Sequence, residues 1–264
     1  MSQGARVFAA QRYRLSTLTV PNDLLVAVVT GRKVLHASGR IITAEQGHGV
    51  MIARGTQWDV VNDPNGQRQY EAWVLAFDDE LVKEFHQRHA EGGPTVHSAT
   101  VLALPPALTE ALARTLPISQ PASAAVLRHR SLEVMLMLAE LGWRFAPPQA
   151  LNWAERIQRR VSQRPDADWN VATLAQAFHL SESSLRRRLE GSPHTLAALV
   201  RDARLQVALG LLQTTDLSVG EVAQRCGWAS HSRFTAAFQE RWGVAPSVVR
   251  ARMKESAQEL TDPG

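Results

Sequence analysis

Two groups of side chains stand out by type and spacing: Ser183, Arg186 and Arg187 in one short helical stretch, and His231, Ser232, Arg233 and Thr235 in another. They are hydrogen-bond donors and a cation set, not a proton-shuttling or nucleophilic pair. A guanidinium is a planar fork that can bond guanine O6 and N7 together, and it also neutralises phosphate. Hydroxyl groups can bond phosphate oxygens and base edges. A run such as Arg186-Arg187-Arg188 is ordinarily a solvated helix face. What gives Arg186, Arg187 and Arg233 a target is the pattern that surrounds them. Arg188 points elsewhere around its helix, which suits a phosphate or a partner within the protein.

The elements that must position these groups are legible on either side of them. Val171 to Phe178 places apolar residues at helical spacing, His179-Leu180-Ser181 interrupts them, and Leu185 and Leu189 resume the pattern. This predicts a helix, a tight turn and a second helix with Ser181 as its N-cap, where the hydroxyl accepts from an otherwise unpartnered backbone N–H. Leu185 and Leu189 then face inward. The logic repeats at Ser218-Val219-Gly220-Glu221, a capping box. Val222 and Ala223 face inward, Gly227 permits a positive φ in the turn, and Ser230 caps a further helix that buries Phe234 and Phe238. Trp169 and Trp228 also turn toward the core and not toward bases. Between the two units, apolar residues recur from Leu196 to Leu212 at three- and four-residue steps, which predicts one helix of roughly four to five turns.

Paired helix-turn-helix units joined by one helix resemble the DNA-binding domain of the AraC/XylS family of bacterial transcription regulators, over residues 152–253. The resemblance is carried by the run Ser218 to Trp228, by Phe234 and Phe238, by Trp242-Gly243-Val244-Ala245-Pro246 and by Arg250. In the first unit it is carried by Leu174-Ala175, Leu180-Ser181, Leu185-Arg186-Arg187 and the run Arg201 to Leu205. Pro193 stands where many members carry a glycine, and Ala236 and Ala237 stand where the family often has a basic or polar residue. Contacts from the second recognition helix are accordingly expected to be fewer. The resemblance implies a regulator, usually an activator, whose recognition helices enter successive major-groove segments of promoter DNA about one turn, ~34 Å, apart. It further implies recruitment or repositioning of RNA polymerase, and an N-terminal domain for homodimerisation and response to a signal.

Upstream, short strands are predicted at 24–29, 33–36, 40–43, 49–52, 57–61 and 70–77, with turn chemistry at Thr30-Gly31, Ser38-Gly39, Gln46-Gly47-His48-Gly49, Arg54-Gly55 and Asp63-Pro64-Asn65-Gly66. Such spacing suits a small barrel or a sandwich, and this half resembles the cupin-like sensing domain that precedes many AraC-type readers. Helices are predicted near 79–90, 105–116 and 122–142, the first capped by Asp78-Asp79-Glu80. The last carries more apolar surface than one stripe needs, which suits either a homodimer contact or packing on its own barrel. The expected architecture is α+β: a small cupin-like β-barrel with helices over 1–145, a proline-stiffened linker over 146–151, an all-α domain over 152–254 and an acidic tail over 255–264. A barrel lined by Val, Ile, Leu and Trp could hold a small-molecule effector, with Arg12, Arg14, Arg32 or Lys33 meeting its acid group. Packed solid, it would serve as a protein–protein module. Relatives of this size answer to fatty acids, to a protein antagonist or to no ligand.

At 264 residues the chain can form two domains of ordinary size. Its charge is unevenly spread: net +1 over 1–150, +6 over 151–254 and −3 over 255–264, so the excess lies in the DNA-reading half. Cys226 is the only cysteine, which excludes an intrachain disulfide and a cysteine-based zinc site; its helical context suits a small buried residue. No apolar run approaches the ~20 residues of a membrane span and the N-terminus lacks a signal-peptide pattern, so a cytoplasmic, nucleoid-associated protein is expected. His36 and His48 are isolated, and His86 and His89 suit a solvated helix face. Neither a Gly-x-Ser-x-Gly elbow nor a phosphate-binding glycine loop occurs. No cofactor, metal or catalytic residue is therefore expected. A sequence-indifferent architectural DNA-binding protein and a metal-dependent cupin enzyme with an accessory DNA domain remain as alternatives. Binding to specific against random DNA, and metal analysis, discriminate them.

Overall fold

The computed structural model describes residues 3–37, 39–89, 94–117, 122–149 and 151–250. The acidic tail expected over 255–264 lies outside the described residues, as do Ser38 of one expected turn and position 150 of the expected linker. The chain divides into two compact units, one running from the N-terminal strands to Ala146 and one over Pro147–Val249. The architecture is α+β.

The first unit opens with eight strands: β1 (Gln3–Ala9), β2 (Tyr13–Thr19), β3 (Asp23–Thr30), β4 (Arg32–Ala37), β5 (Arg40–Glu45), β6 (His48–Ile52), β7 (Gln57–Asp63) and β8 (Tyr70–Phe77). Helix α1 (Asp79–Arg88), β9 (Thr95–Val96), β10 (Ala99–Ala103), α2 (Pro106–Ala113), α3 (Ala124–Glu140) and β11 (Arg144–Phe145) follow. The six strands expected by pattern all form, and the sequence reading did not single out β1, β2, β9, β10 or β11. The turns are where the glycines predict them. At Gly31, between β3 and β4, φ is +79° and an added Cβ would lie 2.4 Å from the Asp63 carbonyl oxygen, so only glycine fits.

The strands do not close into the expected barrel. One antiparallel sheet has the order β1-β8-β3-β6-β10, a second has β2-β7-β4-β5, and β9 pairs with β11. The physical reason lies in β3, which is buried on both faces: Leu25 and Ala27 alternate with Val26 and Val28, and all four are buried. Helices cover one of those faces, since Leu25, Met51, Leu75 and Phe77 pack with Leu81 and Phe85 of α1, Leu108 and Leu112 of α2 and Val134 and Leu138 of α3. A sheet so covered needs no closure to hide its apolar side chains. Asp78 caps α1 as expected, its carboxylate accepting from Leu81 N at 2.9 Å.

The second unit is all helix: α4 (Trp153–Gln163), α5 (Val171–Ala177), α6 (Glu182–Leu189), α7 (Leu196–Thr214), α8 (Val219–Arg225), α9 (His231–Trp242) and α10 (Pro246–Arg250). One core joins Ile157 and Val161 of α4, Leu174 and Ala175 of α5, Leu185 of α6 and Leu199, Val200 and Ala203 of α7. Further along α7, Leu205, Ala208, Leu209 and Leu212 are buried, as are Val222, Ala223, Cys226, Phe234, Phe238 and Trp242. The joining helix expected from Leu196 onward is therefore present, and it has a buried row at each end.

Candidate nucleic-acid interface

Both reading units are built from the same parts. In the first, Asn170 and Thr173 form a reciprocal box: Thr173 N donates to Asn170 Oδ1 at 3.0 Å and Asn170 N donates to Thr173 Oγ1 at 2.9 Å. Helix α5 ends at Phe178, His179 turns the chain at φ +55°, and Ser181 caps α6 by accepting from Ser184 N at 3.2 Å. In the second, Ser218 and Glu221 form the box, with Glu221 N donating to Ser218 Oγ at 3.2 Å and Ser218 N to Glu221 Oε2 at 2.7 Å. Helix α8 ends at Cys226, Gly227 turns the chain at φ +74°, and Ser230 caps α9 by accepting from Arg233 N at 3.4 Å. Burial pushes the Cys226 thiol up to about 12, so the cysteine is an inert core residue.

The outward faces carry the expected donors. Ser183, Arg186 and Arg187 are exposed on α6, while Leu185 is fully buried. Arg186 Nη2 lies 3.2 Å from Glu182 Oε2 one turn earlier, a solvent-screened pair that a phosphate or base can replace. Arg187 forms no ion pair with another described residue. Ser183 Oγ lies 3.0 Å from Ser181 Oγ, and Ser232 Oγ 2.9 Å from Ser230 Oγ, so each recognition helix begins with the same Ser-x-Ser contact. His231, Ser232 and Arg233 are exposed at the start of α9.

Thr235 departs from the expected outward set. It is half-buried, and its Oγ1 is shielded from solvent without a hydrogen-bond partner in the structure. One residue beyond the fully buried Phe234, it sits on the flank of the stripe formed by Phe234, Phe238 and Trp242, whose rings pack at 5.7 and 6.3 Å between centroids. Arg188 takes the partner within the protein: its Cζ is 4.6 Å from the centre of the Trp153 ring, which Arg156 approaches at 4.2 Å.

Sequence reasoning missed the polar joint on α7. Arg204 Nε donates to the Pro165 carbonyl at 2.8 Å and Nη2 to the Ala167 carbonyl at 2.9 Å, both in the loop between α4 and α5. Asp202 accepts from Arg241 Nε of α9 at 2.5 Å and from Gln158 Nε2 of α4 at 3.5 Å. Arg201 Nη1 lies 3.4 Å from Glu240 Oε2 of α9. The Arg201 to Leu205 run was visible as a motif, but the partners are dozens of residues away and no local pattern announces them.

The residues expected to meet an acidic effector differ sharply in setting. Arg32 directs Nε and Nη2 onto Asp63 Oδ2 at 3.1 and 2.9 Å, Arg12 approaches the same oxygen at 3.7 Å, and Arg14 pairs with Asp59 at 2.5 Å. The Thr17 N–H, and after it the Arg14 bond, hold the Asp59 carboxyl below its usual range. Lys33 is buried instead, its Nζ donating to Asn62 Oδ1 at 2.8 Å, and Asn62 Nδ2 donates to the Tyr13 hydroxyl at 2.8 Å. Burial pushes the Lys33 ammonium down to about 8. Its Nζ lies 5.9 Å from the centre of the Tyr70 ring, whose buried hydroxyl has no hydrogen-bond partner in the structure. Among the described residues, no three His, Cys, Asp or Glu side chains gather as a metal site, and no helix is long and apolar enough to cross a membrane.

Comparison with known proteins agrees with this construction. Residues 174–252 match a helix-turn-helix domain model of the AraC type, and residues 23–142 match the ExsA N-terminal regulatory domain. The chain is 28% identical over 102 residues to the urease operon transcriptional activator of Escherichia coli, covering 39% of this chain and 34% of that one. It is 30% identical over 99 residues to the transcriptional regulator YdeO of Escherichia coli K12, covering 38% and 39%. The chain thus spans less than two fifths of the length of these curated relatives. The fold matches that of ToxT from Vibrio cholerae at a TM-score of 0.61 and 14% identity, over 94% of this chain and 96% of that one. ToxT has also been solved bound to an unsaturated fatty acid, with a TM-score of 0.58. Matched in order along the sequence, the chain thus carries a regulatory domain of the ExsA N-terminal type followed by a helix-turn-helix domain of the AraC type.

Proposed function

We propose that this protein is a sequence-specific DNA-binding transcription regulator, an activator, that reads promoter DNA through α6 and α9 in successive major-groove segments. The observation that carries this reading is the duplication itself. Two separately capped helices, one anchored by the buried Leu185 and the other by Phe234, Phe238 and Trp242, each present an exposed donor face on one all-α unit. Base readout falls to Arg186 and Arg187 on α6 and to His231, Ser232 and Arg233 on α9, with Ser183 contributing a hydroxyl. Because Thr235 is half-buried and Ala236 and Ala237 carry no donors, α9 makes fewer contacts than α6. RNA polymerase is the downstream partner, the N-terminal unit supplies homodimerisation and signal response, and the protein acts in the cytoplasm.

The effector is an amphipathic acid whose carboxylate meets Lys33. Two observations support this over the arginines: Arg12, Arg14 and Arg32 already face carboxylates, whereas the buried ammonium has a neutral hydrogen-bond partner. A buried cation gains most from an anion beside it. The fatty acid seen on ToxT is of this chemical class.

The regulator reading is tested by selecting duplexes from a random library with the full chain, then measuring affinity for the enriched and a scrambled duplex. Arg186→Ala should cost roughly 1–3 kcal/mol on the enriched duplex and relax the preference at one base. Equal weakening on both duplexes contradicts base reading by Arg186. Equal affinity of the parent chain for both favours the architectural alternative.

A further inference from the structure

We infer that Arg204 is a positioning residue which, with Asp202 and Gly227, fixes the separation at which the two recognition helices meet DNA. This rests on the two-helix reading proposed above.

Little else joins the two readers. Among the described residues, α5 and α6 make at most marginal contact with α8 and α9, whereas α4 packs along α7 and α8 and α9 pack on α7. The first reader reaches α7 through α4 and the core they share, and the second packs on α7 directly, so their relative orientation is set along that one helix. Their meeting point is one turn of α7. Arg201 and Asp202 reach forward to Glu240 and Arg241 of α9, Asp202 also reaches back to Gln158 of α4, and Arg204 holds the carbonyls of Pro165 and Ala167. Two carbonyls gripped by one planar guanidinium define a direction as well as a distance.

The turn of the second reader closes against this grip. A Cβ built on Gly227 would lie 2.8 Å from the Pro165 carbonyl oxygen and 3.0 Å from Arg204 Cζ and Nη2. The first reader provides an internal control. Its turn residue, His179, occupies the same step, nine residues after its helix cap, and the same left-handed backbone, yet it carries a full side chain and is exposed. Glycine at 227 is thus demanded by more than φ. The α8–α9 turn must come close enough for its backbone to rest on Arg204 and the α4–α5 loop. This three-way contact of loop, linker helix and turn locks one reader to the other.

A locked pair binds a bipartite site with an avidity gain of roughly 10²–10⁴ only when the spacing is right. The experiment uses the duplex enriched by the full chain and the same duplex with one or two base pairs inserted between its two segments. The parent chain should lose about 100-fold in affinity on the two-base-pair insertion. Arg204→Lys keeps the charge but not the fork; it should bind the original duplex about 10-fold more weakly and lose less than about 5-fold on the insertion. Asp202→Asn tests the same joint from the α9 side and should shift in the same direction. Thermal unfolding midpoints identify which variants are folded. A folded Arg204→Lys or Asp202→Asn protein that keeps the full spacing penalty of the parent overturns the inference and leaves the regulator reading intact. Failure of the parent chain to enrich any bipartite sequence overturns both.

Discussion

In the proposed reading, single residues carry the specificity of this protein in two different solvents. On α6, Arg186 and Arg187 sit in water with at most one screened partner, so their guanidinium groups can exchange that partner for a base edge. Lys33 is the opposite case, a cation held out of water by the fold, with its ammonium pushed down to about 8. The sign of its effect on ligand binding follows. Below pH 8 the ammonium is charged and attracts a carboxylate; as pH rises through about 8 it loses its proton and the attraction disappears. Binding of a medium-chain fatty acid, followed by isothermal titration calorimetry, should therefore weaken between pH 7 and pH 9, and Lys33→Met should abolish that dependence. Binding that is unchanged by pH or by Lys33→Met sinks the assignment. Lys33 could be named from sequence beside Arg12, Arg14 and Arg32, because all four are cations near strands. Its separation from them was not legible, since it depends on Asp59 and Asp63 arriving from β7 to pair with the arginines. Thr235 shows the same limit: helical angle alone put it outside, whereas the packed unit shields its hydroxyl from solvent.

At the scale of elements, local chemistry was decisive wherever the partner was close in sequence. Ser181, Ser218 and Ser230 each cap the helix expected of them because a hydroxyl three residues from an orphan N–H needs nothing distant to complete the bond. The same reasoning would have found α4, whose Asn152 and Glu155 form a capping box that the pattern search passed over. Removing the hydroxyl in Ser218→Ala should lower stability by about 1 kcal/mol, read from the midpoint of urea unfolding. A change within error would mean the exposed α8 start gains nothing from its cap. Strands were legible where apolar alternation ran between glycine turns, as at β3 and β8. The short β9 and β11 pair, and β10 on the edge of its sheet, depend on long-range pairing that no local period encodes. The open sheets likewise reflect an event distant in sequence, the arrival of α1, α2 and α3 on one face.

At the scale of the molecule, the sequence divides labour between two units, and the reading unit is itself a pair. The family pattern identifies the pair from its caps and aromatic core, but the spacing between its members is set by side chains that bridge about forty residues, such as Arg204 to Pro165 and Asp202 to Arg241. The central claim is that both members read one duplex together. The most direct measurement is methylation interference on the enriched duplex, in which guanine N7 groups are methylated before binding so that blocked major-groove contacts are lost from the bound fraction. The account predicts interference at guanines in two segments centred about one helical turn apart on a single face of the DNA. Interference confined to one segment, or absent from a duplex that the protein still binds tightly, would contradict it.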